Sequence, residues 1–386
     1  MNIFSEYFST FPIQAWVQQA EDTSKKTVQR ILAQGRPGTL QEFAALISPQ
    51  AAQYLEPLAQ HSQRVTQEHF GKAIRLFAPL YLSNECINIC RYCGFSRHNN
   101  ISRRTLSLDQ VEAEASKLAR QGFRSLLLVA GEHPRHISNG YAADCIRCCL
   151  THIPSIQVEL APMETPAYQP LVAAGGEGVV VYQETYHEST YRQLHIAGPK
   201  KNYRWRLDAP ERAHAAGFRR LGIGVLFGLY DWRSEALALA VHARHLLKTC
   251  WKAQISLSLL RLRPAAGAFA PDLRFQLSDR DLVQLIGALR LFLPAVGITL
   301  STREAPALRD RLVSLGVTTL SAGSSTEPGG YSAYNEQTWH PPAHQPGEQF
   351  HIADDRSPKA VAAMIARQGY EPVWKDFDQA LVSVSL

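Results

Sequence analysis

The sequence predicts an α/β fold, a (βα)8 barrel of the TIM type, on three observations. Eight short apolar segments read as strands: 74–82, 124–130, 156–160, 178–182, 220–226, 254–259, 297–301 and 317–321. Longer amphipathic stretches at 108–121, 138–150, 233–248 and 279–292 lie between several of them, and this alternation is the pattern of a parallel sheet. The run Cys86-Ile-Asn-Ile-Cys90-Arg-Tyr-Cys93 follows the first strand directly, at the strand end where barrels of this kind gather reactive groups.

Residues 13–70 read as helical, with Ser48-Pro49 marking a helix start, and 1–71 is expected to form an N-terminal helical extension. The barrel itself is expected over 72–321. From Ala322 the chain changes character. The turn-rich run Ser324 to Tyr331 and the Pro/His-rich stretch 340–347 are too long for an ordinary connection and suggest a lid over the barrel mouth. A helix over 358–368 and the segment from Glu371 to Asp378 complete a C-terminal lid and packing region, 322–386.

With 45% hydrophobic and 19% charged residues among 386, the chain has the composition of a folded globular protein. Its net charge of +6 is mild, and no Lys/Arg block with interleaved aromatics points to nucleic acid. A basic face that docks an acidic electron donor is compatible with that charge. The N-terminus lacks the basic and apolar regions of a signal peptide, and no stretch reaches the ~18 apolar residues that would span a membrane. Seven cysteines, an odd number, point to a reducing cytoplasm rather than a disulfide framework.

The C-x3-C-x2-C triplet carries the chemistry. Thiolates hold iron–sulfur clusters, commonly four per cluster, so three leave one iron open to a substrate or cofactor. A zinc knuckle would need a second pair of ligands, and none is evident nearby. Polar residues at other strand ends join the candidates by position: Gly131, Glu132, His133, Glu159, Gln183, Glu184, Arg303, Glu304 and Ser321. Cys145, Cys148 and Cys149 fall on a predicted helix and read as small hydrophobes, and His133, His187, His340 and His344 show no metal-ligand spacing.

With these residues in view, the chain resembles the aromatic amino acid lyases of the radical S-adenosylmethionine (SAM) superfamily, and among them the tyrosine lyases of thiamine biosynthesis. The resemblance runs nearly the full length. It is carried by Pro79–Asn84 with the cysteine triplet and Gly94-Phe95, Leu127–His133, Val181–His187, Trp205–Asp208, Leu300–Glu304, Pro328–Tyr331 and Ala353–Ser357. It implies a [4Fe-4S] cluster on Cys86, Cys90 and Cys93 whose open iron binds SAM. Gly131-Glu132 would receive the SAM amino group, Tyr92 would back the adenine, Glu159 would hold the ribose hydroxyls, and Arg206 would pair the methionine carboxylate. Gly222 and Gly224 are further candidates for close approach to the adenine.

For the substrate, the resemblance implies L-tyrosine, with Arg303 as a bidentate carboxylate clamp, Ser321 assisting it, and Tyr81 near the amino group. One-electron cleavage of SAM would generate a 5′-deoxyadenosyl radical that takes hydrogen from the amine. Cα–Cβ cleavage would then give 2-iminoacetate and p-cresol, with 5′-deoxyadenosine and methionine as the SAM products. Implied partners are the thiazole synthase that consumes the imine and a flavodoxin- or ferredoxin-type reductant. A tryptophan lyase stays open, as does, from another class, an iron–sulfur scaffold or electron carrier. A related hydrogenase maturase carries a further cysteine motif near its C-terminus, whereas this chain has no cysteine after Cys250.

Overall fold

All eight predicted strands form in the computed structural model, which describes residues 3–267, 272–333 and 347–374. They are β1 (Ala73–Ser83), β2 (Ser125–Ala130), β3 (Ser155–Glu159), β4 (Gly178–Glu184), β5 (Arg220–Phe227), β6 (Gln254–Arg261), β7 (Gly297–Leu300) and β8 (Thr319–Ser321). Each pairs in parallel with the next. Arg75–Phe77 of β1 pairs with Thr319–Ser321 of β8, which closes the barrel. The side-chain period of two separates the layers: Ile74, Leu76, Ala78, Leu80 and Leu82 of β1 enter the main core, whereas Phe77, Pro79 and Tyr81 face the barrel interior.

The N-terminal helices Ile13–Glu21, Lys25–Ala33, Leu40–Leu46 and Leu55–Phe70 pack on the outside of the barrel, chiefly against the helices Trp232–Thr249 and Asp279–Phe292. That cover explains why Trp232–Thr249 is buried along most of its length. Ser48 accepts the amide N–H of Ala51 through its hydroxyl, so the helix start expected there is real, although a 3-10 turn over Ala51–Tyr54 precedes the long helix. A helix over Phe4–Phe8 was not legible, because five residues carry no periodicity. Tertiary contacts hold it: Ser5 binds Asp208 through its N–H (2.7 Å) and its hydroxyl (2.8 Å), and Phe4 stacks on His242 at 4.0 Å.

Past β8 the described residues stay on the barrel. Tyr331 donates its hydroxyl to the Pro79 carbonyl (2.6 Å), and its N–H binds Glu114. Gly347–Phe350 crosses the mouth. The strand Glu371–Val373 extends the sheet beside the start of β1, with Trp374 edge-on to Phe123. The helix expected at 358–368 forms over Pro358–Arg367. His340, His344 and the rest of 334–346 lie outside the described residues.

The Ala353–Ser357 segment is an anchor. Asp354 forms a fully buried ion pair with Arg309, which also donates to the Ser321 carbonyl, and Arg356 binds both Asp354 and Asp310. Burial favours the neutral Asp354 acid, but the Arg356 hydrogen bonds and the charges of Arg309 and Arg356 outweigh it and hold the carboxyl below its usual range. Asp354→Ala leaves a buried guanidinium uncompensated and should lower unfolding free energy by about 3–5 kcal/mol, measured by denaturant titration.

Candidate active site at the barrel mouth

The loop that follows β1 is held by its own backbone polar groups. Arg103 donates to the carbonyls of Asn84 (2.6 Å), Phe95 (2.9 Å), Ser96 (2.7 Å) and Asn99 (3.2 Å), and so encircles the stretch that carries the three cysteines. Ile89–Cys90 pairs antiparallel with His195–Ala197, with Cys90 opposite His195. Gly131 at the end of β2 donates its N–H to Ser83, and a Cβ there would collide with the Glu85 carbonyl. Only glycine allows this contact between strand end and loop. Glu132 is no helix cap: its carboxylate accepts the Asn88 amide (2.7 Å) and its carbonyl the Ile87 N–H (2.8 Å), bracing the loop.

Donor N–H groups reach two of the three sulfurs, Asn88 Nδ2 at 3.7 Å from Cys86 Sγ and Gln349 Nε2 at 4.0 Å from Cys93 Sγ. The three sulfurs do not converge as a single ion would require; among the described residues, the group whose donor atoms all lie within 4.8 Å is Glu85, His133 and His136. A thiolate set that is pre-placed, spread and supplied with N–H donors suits an iron–sulfur cluster rather than one zinc. Burial pushes the Cys93 thiol up to about 11 and the Cys90 thiol higher, against the opposing charge of Lys200, so metal binding must displace protons there. His133, assigned no metal spacing from sequence, thus does have ligand-type neighbours. Burial and then His136 hold the His133 pKa below its usual value, with Glu85 acting against them and Arg135 and Arg97 with them.

A cavity opens beside the loop. Its wall includes Tyr81, Tyr92, Cys93, Glu159, Glu184, Arg303 and Ser321, so seven of the candidate residues named from sequence meet there. Arg206 does not line it but lies buried behind Glu184, with its Nε donating to the Tyr182 carbonyl (2.6 Å). Gly222 and Gly224 do not line it either, because the Val180 side chain and the Tyr182 ring fill the space beside them.

Charge in this cavity is closely balanced. Lys200 pairs with Glu184 at 2.7 Å and sits 5.6 Å from the Tyr92 ring centroid. Burial alone would raise the Glu184 carboxyl, but Lys200 and Arg206 draw it below its usual range. Glu159 has no such close partner among the described residues; burial and then Glu184 push it up to about 7, against Lys200, Arg206 and Arg303. Glu184 also has φ 71°, the one non-glycine residue at positive φ among the described residues, and the β4–β5 register slips beside it. Tyr92 is fixed by a neutral histidine: His195 donates Nδ1–H to the Tyr191 carbonyl, which leaves Nε2 to accept the Tyr92 hydroxyl at 2.7 Å. Burial and then Lys200 bring the His195 pKa down to about 3.

Arg303 is the distinctive cation. Its guanidinium lies 3.3 Å from the Phe350 ring centroid, and no carboxylate among the described residues pairs with it. Burial lowers its pKa, yet a guanidinium stays charged, so the cavity wall holds a desolvated cation. Ser321 accepts the Thr302 N–H (3.1 Å) and keeps its own proton to donate. Tyr81 donates to Gln349 Oε1 (2.8 Å).

The sequence did not single out Arg103, Lys200, His195, Gln349 or Phe350. Each comes from a connection rather than a strand end. Two candidates are structural: Glu304 is bound by Arg261 and Arg263, and His187 caps the helix Glu188–Leu194. Cys145 and Cys149 are fully buried core residues, and Cys148 donates to the Leu108 carbonyl, as expected of small hydrophobes.

The family profile of the radical SAM superfamily matches residues 80–240, and that of the Biotin and Thiamin Synthesis associated domain matches 258–371. The chain is 42% identical to the 2-iminoacetate synthase of Escherichia coli K12 over 344 residues, 89% of this chain and 88% of that protein. It belongs to the 2-iminoacetate synthase family. The [FeFe]-hydrogenase maturase HydG from Carboxydothermus hydrogenoformans superposes with a TM-score of 0.87 at 33% identity, covering 97% of this chain and 86% of HydG. Methylornithine synthase shares the fold, with a TM-score of 0.70 at 20% identity over 92% of this chain and 99% of that one. As a radical SAM enzyme of the 2-iminoacetate synthase family, the chain binds SAM and an iron–sulfur cluster.

Arg103→Ala removes a donor from four carbonyls; those of Ser96 and Asn99 keep the N–H groups of Asn99 and Ile101, so the cost of about 1–3 kcal/mol per unsatisfied group falls on Asn84 and Phe95. Iron retained after anaerobic reconstitution, measured by chemical iron assay, should fall to less than about half of wild type, while the barrel's far-UV circular dichroism persists.

Proposed function

We propose that this cavity holds tyrosine against SAM, with a [4Fe-4S] cluster on Cys86, Cys90 and Cys93, in a carbon–carbon lyase that releases 2-iminoacetate and p-cresol for thiazole formation. The observation that carries this reading is Arg303, a buried cation without a carboxylate partner among the described residues, on the same cavity wall as Cys93. SAM on the reduced cluster supplies the one-electron chemistry that takes hydrogen from the tyrosine amine before the Cα–Cβ bond breaks.

The protein's part is placement. Arg303 offers two parallel N–H groups to the substrate carboxylate, and the Phe350 ring behind it fixes the orientation of the fork. Ser321 adds a hydroxyl donor, and Tyr81, on the same cavity lining, sets the amino group. Glu159 accepts the ribose hydroxyls, and Tyr92, locked by His195, gives the adenine side a flat face. Gly131 and Glu132 bring the strand end to the loop where the SAM amino group binds, and Arg206 supplies positive charge behind Glu184 for its carboxylate. Phe77, Leu127, Val129 and Leu260 line the rest with apolar surface, which excludes water from reactive species.

Residues 1–71 act as a helical extension, 72–321 as the catalytic barrel, and 322–386 as lid and packing segment. A thiazole synthase that takes the imine directly and a flavodoxin- or ferredoxin-type donor complete the assignment. All seven cysteines are free, as in a reducing cytoplasm, and no helix among the described residues is long and apolar enough to cross a membrane.

The reading is tested by adding SAM, dithionite and L-tyrosine to the reconstituted protein and separating products by mass-resolved chromatography. Tyrosine-dependent p-cresol and 5′-deoxyadenosine are expected; deoxyadenosine without p-cresol would reject tyrosine as the substrate. Arg303→Lys, which keeps charge but loses the fork, should lower kcat/KM for tyrosine about 100-fold with SAM affinity unchanged. Ribose hydroxyls donate to the ionised Glu159, so with its pKa at about 7 SAM binding should weaken as pH falls below neutrality, by up to about tenfold per pH unit. Glu159→Gln should remove that part of the pH dependence in equilibrium SAM titrations.

A further inference from the structure

The strap Gly347–Phe350 touches the cluster loop and the substrate clamp within two residues. Its backbone is fixed from both sides: Gln349 N–H donates to the Thr326 carbonyl (3.0 Å), the Gln349 carbonyl accepts the Gly94 N–H (3.0 Å), and the Thr326 hydroxyl donates to the Phe350 carbonyl (3.0 Å). A Cβ on Gly94 would strike the carbonyls of Gln349 and Glu348, so strap and cluster loop meet backbone to backbone. The Gln349 side chain faces the cavity. Its Oε1 accepts the Tyr81 hydroxyl at 2.8 Å, which turns Nε2 toward Cys93 Sγ at 4.0 Å, and the neighbouring Phe350 carries the Arg303 guanidinium.

An amide has one acceptor end and one donor end, so the Tyr81 hydroxyl decides which end the cysteine sees. Hydrogen bonds in such a chain polarise one another in a desolvated site. N–H donors at a ligating sulfur also set how readily an iron–sulfur cluster accepts an electron. We infer that Gln349 is a positioning residue that couples occupancy of the tyrosine site, sensed at Tyr81 and Arg303, to the electron affinity of the cluster held by Cys93. The inference rests on the lyase reading of the cavity and adds to it a substrate gate on reduction. Such a gate limits SAM cleavage when no tyrosine is present to accept the consequence.

The test uses the full-length reconstituted protein with SAM. Gln349→Glu keeps an acceptor for Tyr81 and removes the N–H facing Cys93; Gln349→Met removes both polar ends without adding charge. The midpoint potential of the cluster is followed by EPR-monitored redox titration with and without tyrosine, alongside iron content. In wild type, tyrosine should raise the potential. In both variants at full iron loading the potential should be lower, tyrosine should no longer move it, and tyrosine should no longer stimulate deoxyadenosine formation. A wild-type potential indifferent to tyrosine, or variants that keep the wild-type potential and response, would overturn the coupling. Absence of p-cresol from wild type would instead defeat the lyase reading, and the substrate-free potentials would still decide whether the amide acts on the cluster.

Discussion

Arg103 and the four carbonyls it binds are the constraint on which the site depends. The loop after β1 must place three sulfurs at the barrel mouth without helix or sheet hydrogen bonds of its own, apart from the two residues paired with His195–Ala197. Carbonyls left bare in a half-buried loop are costly, so a single guanidinium that collects four of them fixes the loop's curvature. Asn84 repeats the device at smaller scale, accepting the Arg104 N–H and donating to the carbonyls of Ser102 and Gly347. The second of those bonds ties the loop to the strap.

Electrostatics then divides the cavity. Glu184, Lys200 and Arg206 form a compensated group on one side, whereas Arg303 stacks on Phe350 and feels Glu184 and Glu159 only through space, with no carboxylate among the described residues in ion-pair contact. Compensated charges are inexpensive to keep in a buried site, and an uncompensated one is retained where a ligand completes it. The strained backbone at Glu184 belongs to the same arrangement. A positive φ there aims the carboxylate at Lys200, in a segment that also pins the cluster loop.

The eight strands and the cysteine loop were legible because both follow from local pattern: β-branched and leucine-rich segments at regular intervals, and thiols at fixed spacing. The meeting of Arg303, Ser321 and Glu159 on one cavity wall was legible because the carboxyl ends of parallel barrel strands converge on one rim. Arg103, His195 and Gln349 were not, since their roles arise from contacts between residues 4 to 268 positions apart, which no periodicity records. Gly222 and Gly224 show the converse. Glycines at strand ends suggested cofactor approach, but the neighbouring Val180 and Tyr182 needed the room.

The central claim is that one cavity joins the cysteine rim to a carboxylate clamp at Arg303. An anaerobic crystal structure of the reconstituted enzyme with SAM and tyrosine tests it most directly. The account predicts the tyrosine carboxylate on both terminal nitrogens of Arg303, with the amino group between Tyr81 and the SAM ribose. A tyrosine carboxylate bound at Lys200, or outside this cavity altogether, would contradict it.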